Sequence, residues 1–216
     1  MSQIMKLYGS TNLRSFNTLK LRAALAEVGA PHEFVAMDLQ KGEQRQPAFL
    51  AVNPHGKIPV LVDGDFALPE SDAILWYIGE KYPDANLLPR PDGTPAATQA
   101  RAQVLRWCDF ASTALYPAYA DFYNYGLGDA DKRIPWAAEA ALQKIARATA
   151  VMEAVLAKQA FLAGAFSLAD LSNAAMFVTL KLRLPSDPLA DRPSTAAWYQ
   201  KITGRPAFAK VLAEIK

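Results

Sequence analysis

The residues of this chain that are placed to do chemistry carry hydroxyls, amides and charges rather than thiols or imidazoles. Ser10, Thr11 and Ser15 follow the first short apolar stretch, and Asn17 stands two residues beyond Ser15. A serine at the start of a helix either caps it or offers its hydroxyl to an anion drawn to the positive end of the helix dipole. Glu70 and Ser71 precede a second helical pattern, whose free N-terminal turn suits a carboxylate, although Ser71 also reads as a simple cap. Lys57 stands alone beside a loop, where a lysine is ordinarily just solvated. The single cysteine, Cys108, lies on an apolar helical pattern and reads as an inert buried thiol. One cysteine excludes an internal disulfide, and with two histidines it leaves no basis for a structural zinc site. The chemistry must come from hydroxyls, amides and charges, or from a thiol carried in by a bound molecule.

Further along, Tyr116, Tyr119, Phe122, Tyr123 and Tyr125 crowd one stretch beside Pro117 and Gly126. Aromatic residues at that density usually build core. Four phenol hydroxyls are hard to bury with every one satisfied, so some of these rings are expected to line a cleft, bordered by Arg106 and Trp107.

The elements that position these residues are legible from periodicity. Ile4–Tyr8 reads as a short strand ending at Gly9. From about Ser15, Leu21, Ala24, Leu25 and Val28 recur at helical spacing until Gly29-Ala30-Pro31 stops the run. Glu33–Met37 reads as a second strand, and strand, helix and strand make a βαβ unit with parallel strands and a right-handed crossover. Pro59–Val62 and Phe66–Leu68 flank the turn signal Asp63-Gly64-Asp65 and predict an antiparallel hairpin added to the same sheet. A helix from Ser71 to Lys81 closes this half.

Pro83, Pro89, Pro91, Gly93 and Pro95 then mark residues 83–97 as an interdomain linker. Beyond it every long apolar pattern is helical: 100–116, 136–158, 168–180, 195–203 and a last one after Pro206. Ser167-Leu168-Ala169-Asp170 has the spacing of a capping box, with Phe166 placed to staple against Leu171. The expected organisation is therefore an α/β domain over 1–82, the linker, and an all-α domain over 98–216.

Composition limits the partners. The 216 residues are 51% hydrophobic, enough for a substantial core. Twenty-three basic and 21 acidic residues, spread along the chain, leave a formal charge of +2 and no basic block to neutralise a phosphate backbone, so nucleic acid is not an expected partner. No apolar run approaches the roughly 20 residues of a membrane span. The start has no signal-peptide core or cleavage site, and a cytoplasmic location is expected.

Three segments together resemble the glutathione transferase family, and in particular its bacterial serine/asparagine-type members. Arg14-Ser15-Phe16-Asn17-Thr18-Leu19-Lys20-Leu21 is similar to the family's Ser-x-Asn-x-x-Lys helix start. Asp38–Gln44 with Phe49 and Asn53-Pro54-His55-Gly56-Lys57-Ile58-Pro59-Val60-Leu61 forms the second, and Glu70-Ser71-Asp72-Ala73-Ile74 the third. In the second half Phe161–Gly164, the Ser167–Asp170 box, Trp198 and Arg205-Pro206 also match. The resemblance implies a thioredoxin-like first domain, an all-helical second domain, and pairing as a homodimer.

It also implies roles. Ser15 donates to the sulfur of glutathione, the co-substrate, and Asn17 points its amide at the same atom; Ser10 and Thr11 rank below Ser15, which stands at the family's position. Ile58 precedes Pro59 at the family's cis proline and presents its backbone to the cysteinyl part of glutathione. Glu70 and Ser71 hold the γ-glutamyl end, and Gln44 and Lys57 reach the glycine carboxylate. The aromatic stretch itself, rather than the resemblance, makes Tyr116, Tyr119 and Tyr123, with Arg106, the residues expected to face a small apolar electrophile, and no metal is expected. The absence of cysteine at Asn17 argues against chemistry through a protein–glutathione mixed disulfide. Disulfide reduction or peroxidase chemistry by the same thiolate is the alternative activity. A non-catalytic module like that of elongation factor one gamma is a further alternative, and maleylacetoacetate isomerase is disfavoured because its Ser-Ser-Cys segment reads Ser15-Phe16-Asn17.

Overall fold

The computed structural model describes residues 4–12 and 15–215; the chain's first three residues, Leu13, Lys216 and Arg14, which opens the first motif, lie outside the described residues. β1 (Met5–Gly9), α1 (Phe16–Glu27) and β2 (His32–Ala36) form the expected βαβ unit, with the two strands parallel and Leu7 opposite Phe34. A short helix, α2 (Pro47–Leu50), precedes the hairpin of β3 (Val60–Asp63) and β4 (Phe66–Pro69). β3 runs antiparallel to both β1 and β4, giving a four-stranded sheet in the order β2-β1-β3-β4. Gly64 carries the hairpin turn at a φ of +62°, a conformation that favours glycine. α3 (Ser71–Lys81) follows directly.

The core of this unit is apolar and continuous. Leu21 and Leu25 of α1, Ile74, Leu75 and Ile78 of α3, and Leu7, Val60 and Leu61 of the sheet are all buried. Each such side chain contributes roughly 1.5–3 kcal/mol relative to exposure. This burial fixes α1 and α3 on the sheet and so fixes their first turns.

The second half is helical throughout: α4 (Pro95–Phe110), α5 (Tyr116–Phe122), α6 (Pro135–Leu156), α7 (Leu168–Arg183), α8 (Pro193–Thr203) and α9 (Pro206–Glu214). α4 starts inside the expected linker. Thr94 caps it by accepting from the Ala97 amide at 3.2 Å, and Pro95 fills the first helical position, where a missing N–H costs nothing. Between α4 and α5 the helix continues through a π-helical segment, Ala111–Leu115, and a second, Tyr123–Leu127, follows α5. Pro117 cannot donate to the turn before it, and the widened π turn accommodates its ring without ending the helix.

By compactness the chain divides into Met1–Arg90 with Gly204–Lys216, and Pro91–Thr203. The closing helix, expected with the helical domain, therefore packs with the first unit. Two ion pairs explain why: Arg205 grips Glu27 at 2.8 and 2.9 Å, and Arg22 meets Glu214 at 2.7 Å, both joining α1 to the chain's last segment. No described helix is long and apolar enough to cross a membrane.

Within the helical unit the capping spacing at Ser167 is realised. Asp170 reaches back to the Ser167 amide at 3.0 Å, and also accepts from the Leu162 amide at 3.0 Å and the Trp198 indole at 2.8 Å. A cap absent from the sequence reading holds α8: Glu153 of α6 accepts from the Ser194 and Thr195 amides at 3.0 and 2.8 Å and from the Thr195 hydroxyl at 2.7 Å. Burial pushes the Glu153 carboxyl up, but these hydrogen bonds together pull it down to about 2. The folded state thus favours the ionised form. The stabilisation is complete above the ordinary carboxyl range and is lost as the pH falls through it toward 2. Glu153→Ala should lower stability by about 1–2 kcal/mol at neutral pH. Chemical denaturation from pH 7 to pH 2 should show the gap between variant and parent closing on the acid side; a gap independent of pH would contradict this account.

Candidate active site

The N-terminal turns of α1 and α3 meet at the site. Asn17 accepts a hydrogen bond from the Ser71 hydroxyl at 2.8 Å, and the buried ammonium of Lys20 pairs with Asp72 at 2.5 Å. Each link joins the first turn or two of α1 to the first turn of α3. Two positive helix ends are thereby held side by side, an arrangement that favours bound anionic groups. Because a hydroxyl donates to the Asn17 oxygen, its amide nitrogen is turned the other way and keeps its donors.

Ser15 is the N-cap residue of α1, yet its side chain makes no capping hydrogen bond. Its hydroxyl lies 3.0 Å from the hydroxyl of Thr18. The Thr18 oxygen also accepts from the Ser10 amide at 3.2 Å. Thr18 is buried, while Ser15 is partly exposed. Gly9 makes room for this cluster, since a Cβ there would meet the Thr18 methyl at 2.5 Å. Ser10 supplies only a backbone donor to Thr18, and its hydroxyl instead accepts from the Asn12 amide at 3.1 Å.

The second motif forms the loop ahead of β3. Asn53, buried, donates to the Lys57 carbonyl at 2.7 Å and accepts from the His55 amide at 3.1 Å, while the Gly56 amide bonds the Asn53 carbonyl at 2.9 Å. This brace leads into the Ile58–Pro59 peptide bond, which is cis as the resemblance implies. Pro59 is buried, Ile58 partly so, and Lys57 is exposed. Gln44 packs close by: a Cβ on Gly56 would lie 3.1 Å from the Gln44 carbonyl oxygen. The Gln44 side-chain oxygen is buried and has no hydrogen-bond partner. An unpaired acceptor of this kind costs about 1–3 kcal/mol and is relieved by a bound donor.

Glu70 has a φ of +70° with ψ of 111°, which side-chain-bearing residues rarely adopt and which costs on the order of 1–3 kcal/mol. The strain is held by β4 on one side and α3 on the other. It leaves Glu70 exposed while Ser71 is buried, so the acid and the hydroxyl of this pair take different surroundings.

The tyrosine stretch is partly core. Tyr119 is buried, and Tyr116 and Tyr123 are about 40% and 41% exposed. Their rings follow one another along the helix, with centroids 6.4 Å apart for Tyr116–Tyr119 and 6.3 Å for Tyr119–Tyr123. Trp107 does not border an open cleft as expected: it is 1% exposed, and its carbonyl accepts from Asn173 at 2.7 Å. The spacing Val104, Trp107, Cys108 and Ala111 is a buried helical stripe, which explains the correction. Arg106 is exposed, bonds Gln103 at 3.1 Å and covers the Trp107 ring at 4.7 Å. Cys108 is buried. Among the described residues no cluster of histidine, cysteine and acidic side chains is suited to hold a metal ion.

Thr18, Asn53 and Lys20 are site-building residues that the sequence does not single out. All three lie within the motifs, but a threonine, an asparagine and a lysine there carry no signal until their partners in space are known.

Comparison with known proteins matches residues 5–80 to the glutathione S-transferase N-terminal domain and residues 116–206 to the glutathione S-transferase C-terminal domain. Glutathione S-transferase F10 of Arabidopsis thaliana is 38% identical over 88% of this chain and 89% of its own length. Glutathione S-transferase 3 of Zea mays is 38% identical over 98% of this chain and 94% of its own. Among solved structures, the glutathione transferase URE2P6 of Phanerochaete chrysosporium in complex with oxidised glutathione superposes with a TM-score of 0.87 at 32% identity, covering 97% of this chain and 95% of that one.

Proposed function

This chain belongs to the glutathione S-transferase family, and on that premise we propose that Ser15 and Asn17 hold the glutathione thiolate at the N-terminus of α1. The chain is a glutathione transferase, with glutathione as its co-substrate. A free thiol of this kind ionises near pH 8.5, roughly, so the enzyme's task is to favour the anion. A depression of about two units needs roughly 2.7 kcal/mol of preferential stabilisation.

One observation carries the assignment: the Ser15 hydroxyl is spared from capping and sits against Thr18, whose oxygen already accepts from the Ser10 amide. Thr18, already accepting from the Ser10 amide, can donate to Ser15, and in that arrangement the Ser15 hydrogen points at sulfur. The Asn17 amide, turned by Ser71, supplies a second donor. Ser71 and Glu70 hold the γ-glutamyl end at the start of α3, the Ile58 backbone takes the cysteinyl part, and Gln44 and Lys57 serve the glycine end. In Gln44 the partnerless oxygen supports this role by offering an acceptor to a peptide N–H of the ligand. The thiolate attacks an electrophilic carbon of a small, largely apolar molecule for which Tyr116, Tyr119, Tyr123 and Arg106 are the candidate contacts. The serine–asparagine pair fits the bacterial subtype, and we extend to this chain the cytoplasmic homodimer of that subtype.

Thr18→Val tests the hydroxyl relay, because it keeps the shape and removes the donor. The bound thiol should ionise about half a unit to one unit higher than in the parent, as expected for one neutral hydrogen bond of about 1 kcal/mol acting through Ser15. An unchanged ionisation would remove Thr18 from the account.

A second activity is favoured by the comparison, since oxidised glutathione, a disulfide, is the ligand in the similar structure of URE2P6. Initial rates of conjugation to chlorodinitrobenzene and of reduction of a small disulfide, measured on the same preparation, decide between them. Conjugation dominating supports the transferase mechanism; disulfide reduction dominating, and surviving Cys108→Ser, transfers the thiolate to the second.

A further inference from the structure

Arg183 closes α7 in a setting that its neighbours do not complete. Its guanidinium lies over the Tyr123 ring, 5.5 Å from the centroid. It also sits close enough to the Tyr119 hydroxyl to oppose, by charge and hydrogen bonding, the upward push that burial gives that phenol. Its Nε is buried and has no hydrogen-bond partner. Among the described residues no carboxylate pairs with it: the nearby Lys181 is matched with Asp187, and Lys144 with Asp121. Arg183 is half-buried, but a buried N–H left unspent is unfavourable, and arginine's planar fork is shaped to meet a carboxylate. The part of a C-terminal helix charge explains a basic residue here but not the buried, unused N–H.

We infer that Arg183, against Tyr119 and Tyr123 with the Tyr116 ring next to Tyr119, selects electrophiles that are aromatic and carry a carboxylate. This deepens the transferase reading above and rests on it. Flanking rings, two of them about 40% exposed, offer faces to an aryl group, and the guanidinium offers the charge that a purely apolar electrophile would not use. The reaction is the ordinary substitution. The glutathione sulfur forms a bond to the ring carbon, the carbon–chlorine bond breaks, and chloride leaves with the electron pair; the carboxylate stays on the product and is neither oxidised nor reduced.

The test compares a chlorodinitrobenzoate with the chlorodinitrobenzene that lacks its carboxylate, in the parent, Arg183→Met and Arg183→Lys. The ratio of kcat/KM for the benzoate over the benzene should fall about tenfold in the methionine variant, the worth of one charge-assisted hydrogen bond, and only partly in the lysine variant. A ratio unchanged by both substitutions overturns the inference. Binding of an unreactive dinitrobenzoate, followed by calorimetry, should weaken by a similar factor in Arg183→Met without any chemistry being involved; unaltered binding also overturns it. Ultraviolet titration of the glutathione thiolate in the same preparations separates the two layers. A thiolate that forms normally beside an unchanged ratio sinks only the role of Arg183, whereas a thiolate that never forms sinks the mechanism on which it rests.

Discussion

Replacing Ser15 with alanine is expected to cut kcat/KM for conjugation by roughly a hundredfold, the usual cost of removing one preorganised donor from a developing or resting anion. That corresponds to about 2.7 kcal/mol of lost stabilisation. On the proposed assignment the loss falls mainly on kcat at neutral pH, because the γ-glutamyl end is given to Glu70 and Ser71 and the glycine end to Gln44 and Lys57, not to Ser15. The structure makes the variant a clean one. Ser15 contributes no side-chain cap to α1, so alanine there removes a donor without removing a cap, and thermal stability should stay within about 0.5 kcal/mol of the parent. Steady-state kinetics with a melting curve would check both halves. A large loss of stability with proportionate loss of activity would return Ser15 to the ordinary role of a helix start.

The largest effect on stability is expected at Asp170. Its carboxylate is essentially without solvent exposure and accepts from the amides of Leu162 and Ser167 and from the indole of Trp198. Burial pushes its pKa up, and those hydrogen bonds offset part of that push. Asp170→Ala leaves three buried donors without an acceptor, each costing about 1–3 kcal/mol, so a total of roughly 3–5 kcal/mol follows after relaxation. The three segments tied together are the loop at Leu162, the start of α7 and α8, so the damage spreads across the helical unit. Urea denaturation should show a midpoint shift of that size. A loss below about 1 kcal/mol would mean that water replaces the carboxylate at no great penalty.

Much of the fold was legible because its signals are local. The βαβ order, the Asp63-Gly64-Asp65 turn, the start of α3 at Ser71 and the Ser167–Asp170 spacing all depend on residues within a few positions of one another. Glu153 capping α8 was not legible, since donor and acceptor are 41 and 42 residues apart. The return of α9 to α1 was hidden for the same reason: Arg205 and Glu27 are separated by 178 residues. Length hid α2, because four residues carry no usable period. Trp107 could have been read correctly, as its spacing with Val104, Cys108 and Ala111 already marks an inward stripe.

The site followed the same division. Motif resemblance pointed to Ser15, Asn17, Pro59, Glu70 and Ser71, and the structure brings Asn17 and Ser71 together and makes the peptide before Pro59 cis. What sequence could not supply is which hydroxyl faces which. Thr18 behind Ser15, the unspent acceptor of Gln44 and the unpaired N–H of Arg183 exist only as relations in space, and each changes what a neighbouring residue is free to do.

On the proposed mechanism, the N-terminus of α1 shifts the ionisation of bound glutathione to lower pH. Ultraviolet absorbance of the thiolate, titrated against pH for glutathione saturating the protein and for glutathione alone, measures this directly. The account predicts a bound thiol ionising about two units below the free one. A bound thiol that ionises where the free thiol does would contradict it, whatever the rate of conjugation.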